Sequence, residues 1–162
     1  MNVTDFATDE RWQDLFYDKP PALRMKELAS FIRGKGNDWV SLYHGTSSEH
    51  PIMTKGLLPT SNSRRKSLQS ANGYVCLSVF PGMAYEFGKL AYPTKQIIVY
   101  RATICFRRLK ADIDQLNNQR LHANRNCGNT LVESLVYGHG ARIKGKIEPM
   151  YLTPATTPSP EV

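Results

Sequence analysis

Three short segments of the chain carry residues that can do chemistry, and the first is His44-Gly45-Thr46. These residues follow Trp39 to Tyr43, a short run typical of a β-strand. A histidine at the end of a strand offers a directional hydrogen bond without needing a charge, and a glycine beside it lets a ligand approach the backbone closely. Together the two can hold a planar amide and a sugar hydroxyl, although the same residues also suit an ordinary turn.

The second segment runs from Gly73 to Gly88 and concentrates aromatic side chains around a predicted strand and helix. Its aromatic residues are Tyr74, Phe80, Tyr85 and Phe87. Aromatic faces can stack on a flat cationic ring such as nicotinamide. The pattern favours core positions for Phe80 and Phe87, and it leaves Tyr85 open between the core and a ligand.

The third segment contains Glu133, which interrupts an otherwise apolar run. The run predicts a strand from Thr130 to Tyr137, and strand parity places Glu133 on the same face as Leu131 and Leu135. An unpaired carboxylate is costly to bury on an apolar face. This placement therefore favours a cleft, because desolvated carboxylates concentrate at functional sites. A solvated position at the edge of a sheet is the alternative.

Short strands and a few helices must position these segments. The predicted strands are Trp39–Tyr43, Tyr74–Ser78, Gln96–Phe106, Thr130–Tyr137 and Lys146–Leu152. The predicted helices are Ala22–Arg33, Pro51–Leu58 with an end near Gly56, a helix opened by Pro81, and Leu109–Asn117. Ser61–Asn72 and Arg120–Asn129 are polar and predict loops. The pattern indicates an α+β fold with a small mixed or antiparallel sheet and flanking helices.

The chain length of 162 residues fits one domain. We predict an N-terminal extension over residues 1–21, a single domain over 22–152, and a disordered tail over 153–162 that is rich in proline and threonine. A net charge of +7 indicates a polyanionic partner, such as nucleic acid, a phosphate-rich ligand or an acidic protein surface. Solubility alone is the alternative explanation of this charge.

The three cysteines are odd in number and form no CxxC pair, which disfavours a disulfide framework or a zinc site. Cys76 and Cys105 lie in apolar runs and are predicted to be core residues, whereas Cys127 is predicted to be exposed. The sequence has no 18-residue apolar stretch and no apolar signal core near its start. We therefore expect no bound metal and a reduced, cytoplasmic setting.

Taken in order, the three segments resemble the His-Tyr-Glu class of ADP-ribosyltransferases, which includes the poly(ADP-ribose) polymerase catalytic domain and bacterial toxins that modify DNA. The similarity extends from Leu42 to Tyr151. It is carried by Tyr43-His44-Gly45-Thr46 with Ile52 and Gly56-Leu57, by Gly73 to Ser78 with Ala84-Tyr85, and by Glu133-Ser134-Leu135-Val136-Tyr137. The resemblance implies a small split sheet that binds NAD as a substrate.

The resemblance also implies a role for each site residue. His44 would bond a ribose hydroxyl of NAD, the backbone of Gly45 would hold the nicotinamide amide, and Tyr85 would stack on the nicotinamide ring. Glu133 would stabilise the positive charge that develops on the ribose as nicotinamide leaves, and would take a proton from the incoming nucleophile. Further binding residues are Thr46, Tyr74, Ser78 and Arg64, with Tyr74 or Val75 at the family's tyrosine position.

The chain departs from the family at Met83, where a serine often contacts the nicotinamide amide. It also lacks the glycine-rich dinucleotide fingerprint of the Rossmann type, so NAD binding cannot rest on that motif. The Arg-start and Ser-Thr-Ser strand of the other transferase class are missing as well.

The resulting hypothesis is a mono-ADP-ribosyltransferase that modifies a protein or a nucleic acid, in keeping with a small toxin, effector or inhibitor acting inside a host cell. Two groups of basic residues could contact the phosphates along a nucleic acid; the alternative is that both groups are simply solvated surface charges. They are Arg64-Arg65-Lys66, in which an arginine could instead hold the NAD pyrophosphate, and Arg101, Arg107, Arg108 and Lys110. The alternatives are an NAD-dependent RNA 2′-phosphotransferase relative, with His122, His139 and Arg142 available, and a non-catalytic binder on the same scaffold.

Overall fold

A five-stranded antiparallel sheet forms the centre of the fold. The computed structural model describes residues 26, 29, 30, 39–59, 73–122 and 127–155. The strands are β1 (Trp39–Ser47), β2 (Tyr74–Ser78), β3 (Ile97–Cys105), β4 (Gly140–Lys144) and β5 (Leu152–Pro154), in the spatial order β4-β2-β1-β3-β5. Each neighbouring pair is antiparallel. The predicted α+β class is confirmed, and the sheet is antiparallel rather than mixed.

Four complete helices and two 3-10 turns accompany the sheet in the described part of the chain. The helices are α1 (Ile52–Lys55), α2 (Pro81–Ala91), α3 (Ile113–His122) and α4 (Leu131–Tyr137), and the 3-10 turns are Phe106–Arg108 and Pro149–Tyr151. Lys26, Ala29 and Ser30 are also helical, within the helix predicted for residues 22–33. None of the described helices is long and apolar enough to cross a membrane.

The strand pairs of the sheet differ in how many positions they share. β1 and β3 pair at nine consecutive positions, from Trp39 opposite Cys105 to Ser47 opposite Ile97, and β2 and β4 pair at five positions. Between β1 and β2, however, the described ladder has one position, where Tyr43 lies opposite Ser78. Beyond this rung, no further ladder position joins the two strands among the described residues. We call the stretch without ladder pairing, residues 44–47 of β1 and 74–77 of β2, the β1–β2 notch.

One face of the sheet carries the main core. Val40 and Leu42 of β1 lie opposite Ile104 and Ala102 of β3, and all four are at most 3% exposed. Because side chains alternate along a strand, His44 is the next residue in this row. In this row, a fully buried leucine is therefore followed by a histidine at the point where the notch begins.

Most predicted elements are present with shifted ends. The strands predicted at Trp39–Tyr43, Tyr74–Ser78 and Gln96–Phe106 are confirmed, as are the short helix that ends at Gly56 and the helix that begins at Pro81. The helix predicted at Leu109–Asn117 lies at Ile113–His122, and part of the loop predicted at Arg120–Asn129 belongs to it. The predicted loop Ser61–Asn72, the extension 1–21 and the tail from residue 156 lie outside the described residues.

Three predictions near the end of the chain are wrong. Thr130–Tyr137 is not a strand, because Leu131–Tyr137 forms α4. Lys146–Leu152 is mainly a bridge at Ile147 and a 3-10 turn, and the last strand begins only at Leu152, within what was predicted as strand end and tail. Cys127 is 6% exposed rather than exposed, with its thiol 4.0 Å from the carbonyl oxygen of Leu116.

Candidate active site

His44 lies within β1 rather than at its end, and its ring reaches across the notch. Nδ1 of His44 is 2.7 Å from the carbonyl oxygen of Cys76 in β2. A carbonyl oxygen only accepts hydrogen bonds, so Nδ1 carries the hydrogen, and the neutral ring then presents Nε2 as an acceptor. The ring is therefore oriented by β2 in a way that suits Nε2 to a hydroxyl donor such as a ribose.

Gly45 allows α2 to press directly against β1. A Cβ atom at Gly45 would lie 2.1 Å from the carbonyl oxygen of Ala84 and 3.4 Å from the Cα atom of Tyr85. Gly88 extends the contact, since a Cβ atom there would lie 3.0 Å from the carbonyl carbon of Gly45. The glycine thus serves close strand–helix packing, a role that the sequence did not indicate. The same packing places Tyr85, which is half-buried, directly beside His44-Gly45.

Thr46 and Ser78 lie on either side of this position. Thr46 is buried, and its Oγ1 atom is 2.9 Å from Nδ1 of His50, so its hydroxyl fixes the turn that follows β1. Ser78 lies opposite Tyr43 at the single rung that joins β1 to β2. Ser78 is therefore at the closed end of the notch, next to His44 in the strand register.

Tyr74 lies at the other end of β2, four residues or about 13 Å from Ser78. Its ring lies under the guanidinium group of Arg142, whose Cζ atom is 4.2 Å from the ring centroid. Tyr74 is thus engaged in a cation–π contact with β4. Arg64 lies outside the described residues, so the structure places seven of the eight predicted site residues.

Glu133 occupies the first turn of α4, and its predicted place on the apolar face of a strand is wrong. Thr130 precedes the helix as its N-cap, and its hydroxyl accepts a hydrogen bond from the N–H of Glu133 at 3.2 Å. In return, the Thr130 hydroxyl lies 2.8 Å from a carboxylate oxygen of Glu133. The Gly128 N–H donates to the other carboxylate oxygen. The segment Thr-Leu-Val-Glu is therefore a helix-start pattern of the capping-box kind.

The charge of Glu133 is stabilised where it stands. Burial by itself raises the pKa of Glu133, but hydrogen bonds from Thr130 and Gly128, with the charge of Arg120 nearby, hold that pKa below its ordinary value. Arg120 also donates to the carbonyl oxygens of Cys127 at 2.8 Å and Gly128 at 3.2 Å, which fixes the loop before α4. Among the described residues, no hydrogen bond joins Glu133 to His44 or Tyr85. The carboxylate is ionised at neutral pH and oriented by local contacts.

A buried acid that the sequence reading missed lies on the other side of Cys76. Asp112 is 5% exposed, and burial raises its pKa, although a hydrogen bond from Gln115, the charge of Arg142 and the Cys76 thiol oppose this rise. The Gln115 N–H donates to its Oδ1 atom at 3.2 Å, which caps α3. The spacing Asp112-x-x-Gln115 is the signal that could have located it. Cys76 therefore contacts both side chains: its carbonyl oxygen accepts from His44, and its thiol forms a hydrogen bond with Asp112.

Comparison of the chain with protein-family models, with curated proteins and with solved structures found no match in any of the three. Within the described residues, no group of three or more histidine, cysteine, aspartate or glutamate side chains is placed to hold a metal ion. The three cysteines are all free thiols. The candidate site therefore rests on its own geometry, which combines an oriented histidine, a neighbouring tyrosine and a strand pair joined at one described position.

Proposed function

We propose that this chain binds NAD at the β1–β2 notch and transfers ADP-ribose to a macromolecular acceptor. The observation that carries the proposal is the end of the β1–β2 ladder directly beside His44, with the backbone of Tyr85 packed against the neighbouring glycine. Beyond the last rung both strands carry backbone N–H and C=O groups, of which the Cys76 carbonyl accepts from His44. Such groups can hold the amide of a nicotinamide.

His44 and Tyr85 supply the groups that the two halves of a nicotinamide riboside need. The hydrogen bond from Nδ1 of His44 to Cys76 fixes the tautomer whose Nε2 atom accepts from a ribose hydroxyl. The half-buried ring of Tyr85 can stack on the cationic nicotinamide. Both residues therefore bind and orient NAD.

Glu133 is the carboxylate that we assign to the chemical step. In that step the bond between the ribose carbon and the nicotinamide nitrogen breaks, and nicotinamide leaves with the bonding electrons. A nucleophile of the acceptor bonds to the same carbon and releases its proton. An ionised carboxylate stabilises the positive charge on the ribose and can take that proton. A carboxylate has about four acceptor positions. The Gly128 N–H, the Thr130 hydroxyl and the Thr130 backbone use three of them, which leaves one for the ribose or the nucleophile.

Labelled NAD incubated with a host lysate tests the proposal. We expect label to enter macromolecules with the wild-type chain, and to fall about 100-fold or more in His44→Ala and Glu133→Gln. Glu86→Gln is the matched control, since Glu86 is an exposed acid on α2, and it should retain full transfer. Digestion of the product with nuclease or protease identifies the class of acceptor.

Three outcomes would contradict the proposal in different ways. Full transfer by Glu133→Gln would remove Glu133 from the chemistry while leaving NAD binding intact. Consumption of NAD without any labelled acceptor would make the chain an NAD glycohydrolase. Failure of the wild-type chain both to bind and to consume NAD would leave a non-catalytic binder.

A further inference from the structure

Five exposed cations gather at the β4 edge of the sheet, and we call this group the basic edge. Its members are Arg107, Arg108, Lys110, Lys144 and Lys146. They come from two segments that are far apart in the sequence, one after β3 and one at the end of β4. β4 is the outermost strand on this side of the sheet.

Backbone hydrogen bonds fix the two segments side by side. The N–H of Lys110 donates to the carbonyl of Arg142 at 2.7 Å, and the N–H of Arg142 donates to the carbonyl of Lys110 at 2.9 Å. Phe106 and Leu109 are both 4% exposed, so they anchor the first segment while the residues between and after them point outward. The backbone positions of the basic edge are therefore fixed by hydrogen bonds and by buried side chains.

Within the two segments of the basic edge, cations outnumber acids. Residues 106–110 and 142–148 contain six lysines and arginines and one acid, Glu148. Glu148 lies 3.4 Å from Lys146. Asp114 of α3 lies 3.5 Å from Arg142. An excess of one sign on a fixed surface attracts a polyanion over distances of about a Debye length.

An aromatic ring lies beside the cations. Tyr74 is opposite Lys144 in the β2–β4 register, and its ring stacks with the guanidinium of Arg142. Among the described residues, the exposed large apolar side chains lie outside the two segments of the basic edge; they are Met53, Leu58, Leu90, Leu121 and Met150. Helices that lie in a membrane interface bury such side chains, and protein interfaces are poor in lysine.

We propose that the basic edge docks the phosphate backbone of a nucleic acid, and that this nucleic acid is the acceptor of ADP-ribose. The second clause rests on the proposed function, whereas docking does not. Lysine and arginine side chains neutralise phosphates and release counterions, so docking should depend steeply on salt and weakly on base sequence.

Two triple variants with the same change in charge test the docking. Lys110→Gln/Lys144→Gln/Lys146→Gln removes three cations of the basic edge. The control Lys26→Gln/Lys55→Gln/Lys95→Gln removes three exposed lysines elsewhere. Between described residues, each triple breaks one surface ion pair, Lys146 with Glu148 or Lys95 with Glu49. Binding of labelled 20-nucleotide DNA and RNA, single-stranded and duplex, is measured by fluorescence anisotropy without NAD at several salt concentrations.

We expect the basic-edge triple to bind about tenfold more weakly or worse near 0.1 M salt, and its salt slope on duplex DNA to fall by about 2 to 3, while the control stays close to wild type. Equal weakening of both triples would overturn the proposal, because only total charge would matter. So would binding of anionic lipid vesicles or acidic peptide in place of nucleic acid.

Transfer is then measured with labelled NAD on a nucleic acid that the wild type binds. Loss of transfer in the basic-edge triple but not in the control supports the acceptor assignment. Binding without transfer to the nucleic acid by the wild type would refute the acceptor assignment and leave docking in place. The proposed function itself fails only if the wild type also labels no macromolecule in the lysate.

Discussion

The notch around His44 and the start of α4 around Glu133 are built in opposite ways. His44 is oriented by Cys76, on a different strand, and Gly45 is packed against a helix from later in the chain. In the described part of the chain, the hydrogen bonds to the Glu133 carboxylate come from residues within five positions of it, Gly128 and Thr130, and Arg120 of α3 adds its charge. The notch therefore depends on contacts between strands and a helix that are far apart in the sequence, whereas the start of α4 depends on its own first turn and on Arg120 of the preceding helix. Substitutions should disturb the two regions by different amounts and over different distances.

The largest effect should come from Gly45→Ala. The added carbon would lie 2.1 Å from the Ala84 carbonyl oxygen, so α2 must move away from β1. We expect the free energy of unfolding to fall by about 3 kcal/mol. NAD binding should be lost as well, because Tyr85 moves with the helix.

Gly82→Ala is the control for this change. A Cβ atom at Gly82 would meet nothing within 4 Å, and alanine is the better helix former. We therefore expect the free energy of unfolding to stay the same or to rise by up to about 1 kcal/mol. Urea denaturation of both variants gives the comparison. If Gly45→Ala is as stable as Gly82→Ala, the strand and helix do not approach as described.

Thr130→Ala should have a smaller and local effect. It removes the hydroxyl that caps α4 and bonds the Glu133 carboxylate, at a cost of about 1 kcal/mol. The carboxylate itself remains, so transfer should fall far less than in Glu133→Gln. Thermal unfolding and transfer assays on both single variants and the double variant separate capping from chemistry. Equal losses of transfer in the two single variants would mean that Glu133 acts only through the helix start.

The smallest effect should be a difference between Asp112 and Glu133 in how their contributions to the stability of the fold depend on pH. Burial raises the pKa of Asp112 above its ordinary 3.8, so its contribution to stability is full below that pH and is lost as the pH rises through the raised pKa. The pKa of Glu133 is lowered from 4.5, so its contribution is present above that pH and is lost as the pH falls through the lowered pKa.

Urea denaturation across the acid range should therefore separate the two carboxyl groups. With rising pH, the stability of Asp112→Asn relative to wild type should increase, and that of Glu133→Gln should decrease. If the stability of both variants relative to wild type changed in the same direction with pH, the direction of one of the two pKa shifts would be wrong.

Local pattern predicted the parts of the fold that depend on neighbouring residues. Three strands with β-branched and aromatic runs are confirmed, and so are the helix begun by Pro81 and the helix ended by Gly56. The run Leu-Val-Glu-Ser-Leu-Val-Tyr was misassigned because so short an apolar run fits both the strand and the helix repeat. Thr130 three residues before Glu133 was the deciding signal, and the same spacing at Asp112 and Gln115 marks α3.

Features that depend on distant pairing could not be predicted from local pattern. β4 is short, begins with a glycine and carries two cations, so its partner β2 is what makes it a strand. The single rung between Tyr43 and Ser78 is a matter of register between strands that no local repeat encodes. Gly45 could be singled out from the sequence, yet its contact with Ala84 becomes visible only once β1 and α2 are placed.

The same uneven sheet has a consequence for biosynthesis. β2 leaves the ribosome long before β4, its ladder partner, which follows α2, β3, α3 and α4. During that interval, β1 offers β2 one rung among the described residues. An emerging strand with bare edges can pair with a strand of another chain. Translation between Ser78 and Gly140 is therefore the period in which a nascent chain most needs a chaperone.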